Sequence, residues 1–292
     1  MHYDDGAFYR PLFENDMVPL QVAKGCSYNA CKFCDMYHQQ YTLSEREEIL
    51  EDIKEIWNSG YMINRIFLTG GNAFSIPHDL AVWVLERIRE YSQTPFTVGC
   101  FARITDIAKK TDDEIRQLME LGVDDISIGT ESGLDEALGN MNKGFTSKDI
   151  IEQCSRLDRI GMNYNLFYLI GMAGKGKCLE AAKRTAEVYD RTNPRRIMIH
   201  TMTPFRGTKL WEEIESGSFE PAGEKEILSE LREFISRSNL HTYILGNHYG
   251  NMVRPNGWIP ENKELFVKKL DEAIENLDEE MLRNYRKQMK SI

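Results

Sequence analysis

The stretch Gly25-Cys26-Ser27-Tyr28-Asn29-Ala30-Cys31-Lys32-Phe33-Cys34 carries three cysteines within nine residues. Three thiolates so spaced can occupy three corners of a 4Fe–4S cube, which ordinarily takes four cysteines. The fourth iron is then open to a ligand that the protein does not supply. Two other readings of the same residues stand beside this one. His38, four residues past Cys34, completes a Cys3His set with Cys26, Cys31 and Cys34, and such a set binds zinc tetrahedrally. Thiols also pack as small apolar side chains in protein cores.

Working outward, short apolar runs alternate with helical patterns, the rhythm of repeated βα units. Strands are expected near Val18–Ala23, Arg65–Thr69, Phe96–Phe101, Asp125–Thr130, Asn163–Ile170 and Arg196–Thr203. Ser44 with Glu47, and Thr111 with Glu114, read as capping boxes that satisfy the first N–H groups of helices. Gly60 and Gly122 are placed to end those helices. After the sixth strand the pattern turns helical at Lys225–Ser238 and Lys263–Met289, around an irregular polar stretch from His241 to Pro260. A closed eight-unit barrel typically needs about 250 residues. The expected fold is therefore α/β: a six-stranded parallel (β/α)6 partial TIM barrel over residues 1–210, with a helical C-terminal extension over residues 211–292 whose polar loop lies near the barrel mouth.

In parallel βα folds the strands' carboxyl ends carry the chemistry. Here the cysteines follow strand one, and Thr69-Gly70-Gly71-Asn72 ends strand two. Cys100 and Arg103 close strand three, Gly129-Thr130-Glu131-Ser132-Gly133 closes strand four, and His200 sits on strand six.

With these segments in place the sequence resembles the radical SAM (S-adenosylmethionine) superfamily. That family's usual cysteine motif is C-x3-C-x2-C with an aromatic before the last cysteine, the place Phe33 holds; here the first gap is four residues. Gly70-Gly71-Asn72 resembles the family's Gly-Gly-Glu segment, with Asn72 in place of the acid. Side-chain charge is lost there, but a carbonyl acceptor is kept. Gly129-Thr130-Glu131-Ser132-Gly133, followed by Asn142-Lys143-Gly144, is similar to the branch that includes oxygen-independent coproporphyrinogen oxidase and Elongator-type catalytic subunits. Thr203-Pro204-Phe205-Arg206-Gly207-Thr208 resembles a turn of that branch.

The resemblance implies an enzyme that binds a 4Fe–4S cluster through Cys26, Cys31 and Cys34 and SAM at the open iron. It implies cofactor contacts from Phe33, Gly70, Gly71, Asn72 and Glu131, and Arg103, at the end of strand three, is a further cofactor-binding candidate. It further implies oxygen sensitivity, reductive SAM cleavage to a 5′-deoxyadenosyl radical, and a one-electron donor such as flavodoxin or ferredoxin. His200, Cys100 and Arg254 are the catalytic candidates, Arg254 belonging with His248 and Asn251 to a polar loop suited to cover the mouth.

Gly171-Met172-Ala173-Gly174-Lys175-Gly176-Lys177-Cys178 nearly spells a phosphate-binding loop. Its last place needs a hydroxyl for magnesium, and Cys178 offers a soft thiol instead. Nucleotide hydrolysis is disfavoured on that ground.

The net charge of −10 lacks the basic footprint of a nonspecific nucleic-acid binder. A small-molecule substrate is therefore expected ahead of nucleic acid, with a tRNA-modifying radical SAM enzyme as an alternative. The acidic start, Met1-His2-Tyr3-Asp4-Asp5, has no secretory pattern, and no uncharged run is long enough to span a bilayer. Six cysteines without an export signal point to reduced thiols, so a soluble cytoplasmic protein is expected. No cobalamin-type module is expected before the cysteines, and no cysteine-rich extension after the barrel.

Overall fold

A computed structural model of the protein describes residues 1–2 and 8–288. Tyr3, Asp4, Asp5 and Met289, used in the reading above, lie outside the described residues. The chain divides into two compact units, residues 1–29, 36–129 and 157–164 in the first, and residues 30–35, 130–156 and 165–292 in the second. The fold is α/β with mostly parallel strands.

The first unit begins with β1 (Val18–Gln21) and the short antiparallel ribbon β2 (Ala23–Lys24) and β3 (Thr42–Leu43). Next come α1 (Arg46–Asn58), β4 (Arg65–Thr69), α2 (His78–Tyr91), β5 (Thr97–Ala102), α3 (Ile104–Ile107), α4 (Asp112–Glu120) and β6 (Val123–Glu131) as far as Gly129. Parallel pairing runs in the order β1-β4-β5-β6. In β4, Ile66, Phe67 and Leu68 are all buried, as a strand covered on both faces requires. The helices contribute single apolar stripes, such as Ile49, Ile53, Ile56 and Trp57 of α1. At the N-terminal ends of these strands Arg65 donates to Glu14 (Nε to Oε2, 2.9 Å) and to Asp125 (2.8 Å). Burial pulls its guanidinium pKa down, but Glu14, Asp125 and Asp124 outweigh that and raise it, so a charged tie holds the foot of the unit.

Of the two expected capping boxes, Thr111 and Glu114 form theirs reciprocally. The Ser44 box is a correction. Helix α1 starts one residue later, with Glu45 at its N-cap, and the Ser44 hydroxyl is buried with no hydrogen-bond partner among the described residues. The cause is the ribbon: the Ser44 N–H donates to Val22 O (3.1 Å), which holds the residue extended beside β3.

The second unit holds α5 (Asp135–Asn140), most of α6 (Ser147–Ile160), most of β7 (Asn163–Ile170), α7 (Cys178–Tyr189), β8 (Arg196–Thr201), α8 (Lys209–Glu215) and α9 (Glu224–Arg237). Then follow β9 (Thr242–Leu245), β10 (Asn256–Ile259), α10 (Lys263–Asn276) and α11 (Glu279–Lys287). Strands β7, β8 and β9 are parallel, and β10 closes antiparallel on β9. The stretch from His241 to Pro260, expected to be irregular, thus contains two strands. Thr242-Tyr243-Ile244-Leu245 is β-branched and aromatic, and its fit beside β8 overrides the glycines and prolines around it. The expected Lys263–Met289 helix is also two helices. Asp278 interrupts it by accepting from the N–H groups of Glu280 (2.9 Å) and Met281 (3.0 Å), a side-chain cap for α11.

This unit's core is built on edge-to-face rings. Tyr168 meets Phe234 at 4.8 Å and Tyr189 at 6.1 Å, which seats α9 and α7 against β7. Among the described residues no helix is long and apolar enough to cross a membrane.

Candidate functional site

In the first unit, β4 delivers Thr69-Gly70-Gly71-Asn72 directly against the first cysteine. The Gly71 N–H donates to Gly25 O (2.8 Å). A Cβ at position 71 would stand 2.6 Å from Cys26 Cβ and 2.9 Å from the Tyr37 ring. The second glycine is thus required by close approach of two backbones. Gly70 has φ of 127°, in the left-handed half of backbone space, and turns the chain out of the strand.

Asn72 follows and is 1% exposed. Its Nδ2 donates to Asp106 Oδ2 (2.6 Å) and to Ser27 Oγ (3.0 Å). Its Oδ1, and the Thr69 Oγ1 three residues earlier, are buried with no partner among the described residues. Leaving such an atom unsatisfied costs roughly 1–3 kcal/mol, which a bound donor offsets. Arg103, 6% exposed, lays its guanidinium 3.5 Å from the centre of the Tyr28 ring. The Cys100 thiol is buried on β5, and burial, with a smaller push from Asp125, raises its pKa to about 12. It is held protonated, which removes it as a nucleophile at neutral pH.

In the second unit the rest of the cysteine loop is pinned by its backbone. The Lys32 N–H donates to Met141 O (3.2 Å), and the Leu210 N–H donates to Lys32 O (2.9 Å). The Asn142 amide donates to Ala30 O (2.8 Å). Cys26, Cys31 and Cys34 are half-buried, and none of the six cysteines is bridged.

Glu131 ends β6 with φ of 66°, a left-handed conformation that costs a non-glycine residue on the order of 1–3 kcal/mol. The surroundings enforce it. Thr130 Oγ1 donates to Phe167 O (2.8 Å), and the Gly133 N–H donates to Thr185 Oγ1 (2.8 Å). A Cβ at Gly133 would strike α7 backbone at 2.6 Å. The Glu131 carboxylate accepts from Lys143 Nζ at 3.2 Å, and Lys143 is 3% exposed. The same ammonium lies 5.6 Å from the Phe33 ring and 5.5 Å from the Phe145 ring. Lys143 therefore joins two expected cofactor contacts, Phe33 and Glu131. Its only signal in the sequence was its place in the Asn-Lys-Gly segment.

His200 on β8 stacks on His248 with ring centres 4.3 Å apart and meets Phe167 edge-on at 5.3 Å. His200 is half-buried. Burial, then His248, lowers its pKa to about 3. Burial, then Arg254, lowers that of His248 to about 4. Both rings are neutral at physiological pH, and His248 Nδ1 accepts from the Gly250 N–H (3.2 Å). Arg254 is exposed and donates to the carbonyls of Asn251 and Tyr249, both at 3.2 Å. It braces its own loop. Arg286 of α11 braces that loop from outside, donating to Gly250 O (3.3 Å), Thr203 Oγ1 (3.2 Å) and buried Glu224. No feature of the sequence had marked Arg286.

Among the described residues no three His, Cys, Asp or Glu side chains are gathered as one metal ion would need. A cubane places each thiolate on a different iron, so its donor set is wider than that of a single ion. The donor chemistry suits such a cluster: three half-buried thiols in one short loop. Beside the first of them lie a glycine cradle and the orphaned Asn72 oxygen.

Comparison with known proteins identifies the class. The Radical SAM superfamily model matches residues 20–188, more than half of the chain, and the protein belongs to that superfamily. It is a radical SAM enzyme, with a 4Fe–4S cluster and S-adenosylmethionine as its cofactors. The Cys3His zinc reading is not favoured. Over 117 residues the chain is 25% identical to the tRNA uridine(34) acetyltransferase of Methanocaldococcus jannaschii, a match covering 39% of this chain. The match spans 21% of that relative's length. Methylornithine synthase (PylB) superposes with a TM-score of 0.54 at 14% identity, covering 96% of this chain and 85% of that one. The archaeal Methanocaldococcus infernus Elp3 with an N-terminal deletion superposes with a TM-score of 0.53 at 16% identity, covering 88% and 63%. At these identities the structural likenesses speak to the fold alone.

Proposed function

We propose that Cys26, Cys31 and Cys34 each bind one iron of the cluster and that SAM occupies the fourth through its amino and carboxylate groups. When bound, the cluster supplies one electron, from a donor such as flavodoxin or ferredoxin, for cleavage of SAM to methionine and a 5′-deoxyadenosyl radical. The chain's own residues orient the cofactor. Asn72 Oδ1 accepts from an N–H of the SAM amino group, with the carbonyls of Gly70 and Gly71 beside it. Glu131, steadied by Lys143, accepts from the cofactor's polar rim, Phe33 lies along the adenine, and Arg103 joins the cofactor shell. The accompanying fold is the six-stranded parallel partial barrel over residues 1–210 with an extension over residues 211–292.

The substrate is a small molecule on this reading, and hydrogen abstraction takes place beside His200. A neutral His200 ring offers one donor and one acceptor nitrogen, and His248, whose Nδ1 already accepts from the Gly250 N–H, keeps a donor at Nε2. Cys100 remains a protonated thiol, and Arg254 braces the loop that carries His248. The observation that carries the proposal is the fit of Gly71 against Cys26, next to the unpartnered Asn72 oxygen.

Replacing Cys34 with alanine tests it. Iron retention and SAM cleavage should be lost together, and unchanged iron content rejects the ligand assignment. A second reading, action on tRNA, is favoured by the likeness to the tRNA uridine(34) acetyltransferase. The net charge of −10 weighs against it. Substrate-dependent 5′-deoxyadenosine release that is stimulated by bulk tRNA and not by metabolite pools would favour that reading.

A further inference from the structure

The acid that resemblance leads one to expect at position 72 is absent, yet a carboxylate stands directly behind Asn72. Asp106, 5% exposed on the short α3 that follows β5, accepts from Asn72 Nδ2 at 2.6 Å. Its other oxygen accepts from Lys109 Nζ at 2.7 Å. Ser27, the residue after the first cysteine, accepts from the same Asn72 nitrogen at 3.0 Å. A carboxylate can only accept, so the amide nitrogen must face Asp106. The orientation of Asn72 is thereby decided by chemistry, where an isolated amide could flip. Its oxygen points away from Asp106 and has no partner among the described residues.

We propose that Asp106 is a positioning residue for SAM. It locks the Asn72 amide with the oxygen presented as an acceptor. Through the charge-assisted hydrogen bond it polarises that amide toward the SAM amino group. The negative charge missing from position 72 is kept one residue further back. This inference rests on the SAM site proposed above and names a residue that neither the cysteine motif nor the glycine turn contains.

The test is SAM affinity, measured by anaerobic equilibrium dialysis on cluster-loaded protein, with iron content and apo-protein melting temperature recorded alongside. Asp106→Asn should bind SAM roughly 10- to 100-fold more weakly, the span expected when a hydrogen bond to a charged group is lost. Its iron content should match the wild type. Moving the charge forward, in the double variant Asn72→Asp with Asp106→Asn, should restore affinity to within a few-fold. In an Asn72→Ala background, Asp106→Asn should have no further effect on affinity, because its partner is gone.

A residue that merely supports the fold would lower the melting temperature and leave the affinity of the folded fraction unchanged, and no charge swap would rescue it. Wild-type affinity in Asp106→Asn, or no recovery in the swap, overturns the proposal. If loaded wild-type protein fails to bind SAM, the site reading itself falls and takes this inference with it. The wild-type control thus separates the two failures.

Discussion

Replacing Gly71 with alanine adds one methyl group at the tightest point of the site. That carbon would lie 2.6 Å from Cys26 Cβ, 3.0 Å from Cys26 Cα and 2.9 Å from Tyr37 Cδ2. Carbon atoms in ordinary contact sit about 3.5–4.0 Å apart, so the overlap with Cys26 approaches 1 Å. Gly71 is not among the residues with positive φ, so alanine suffers no backbone penalty there and the effect comes from contact alone. Cys26 Cα is backbone and cannot swing aside as a long side chain would. Overpacking of this kind costs about 1–3 kcal/mol, or displaces the first cysteine by a comparable fraction of an ångström. For a chain of this size each kcal/mol corresponds to a melting shift of about 2–4 °C. The assay is iron and sulfide content after anaerobic reconstitution, with thermal unfolding of the apo-protein. Gly71→Ala should lose most of its iron and melt several degrees lower. Gly139→Ala, where the added carbon meets nothing within 4 Å, should do neither. Wild-type iron and melting temperature in Gly71→Ala would refute the idea that the glycine turn is fitted to the cysteine loop.

Two further outcomes are expected. Glu131→Gln should weaken SAM binding about tenfold, as loss of a charge-assisted contact implies, while iron is retained; calorimetric titration showing unchanged affinity would remove Glu131 from the site. Glu230, 1% exposed on α9, accepts from the Tyr168 hydroxyl (2.7 Å) and the Gly171 N–H (2.8 Å) at the glycine-rich loop after β7. Burial raises its pKa from 4.5 to about 7, opposed by the hydrogen bonds from Tyr168, Cys178 and Gly171 and aided by nearby Glu226. Between those values the folded protein holds a proton that the unfolded chain has released, so stability falls as pH rises from 4.5 through 7. The loss attributable to Glu230 is at most about 3 kcal/mol. Denaturant unfolding at pH 5 and pH 8 should show wild type losing ground to Glu230→Gln at the higher pH, and parallel curves would contradict the assignment.

The sequence carried the parallel strands well where burial is two-sided. Arg65–Thr69 and Asn163–Ile170 begin and end where their apolar runs do. It failed where tertiary pairing outweighs local composition. Gly246, Pro255 and Gly257 disguised β9 and β10, whose pairing with β8 and with each other is invisible to any window along the chain. Ser44 carried a correct capping pattern, but the ribbon claimed its backbone first. The candidate site divides the same way. Local spacing singled out the cysteines, and the family resemblance singled out the glycine turn and Glu131. Asp106 could not be found, because its partnership with Asn72 joins the ends of two different strands, 34 residues apart. Even Gly71 was marked only by its likeness to the family's Gly-Gly-Glu segment, whereas its main constraint is the approach of Cys26.

The most direct test of the central claim is electron paramagnetic resonance of anaerobically reconstituted, dithionite-reduced protein, recorded with and without SAM. The account predicts a reduced 4Fe–4S signal that changes when SAM is added, because one iron is left open by Cys26, Cys31 and Cys34. A cluster signal indifferent to SAM, or zinc in place of iron, would contradict it.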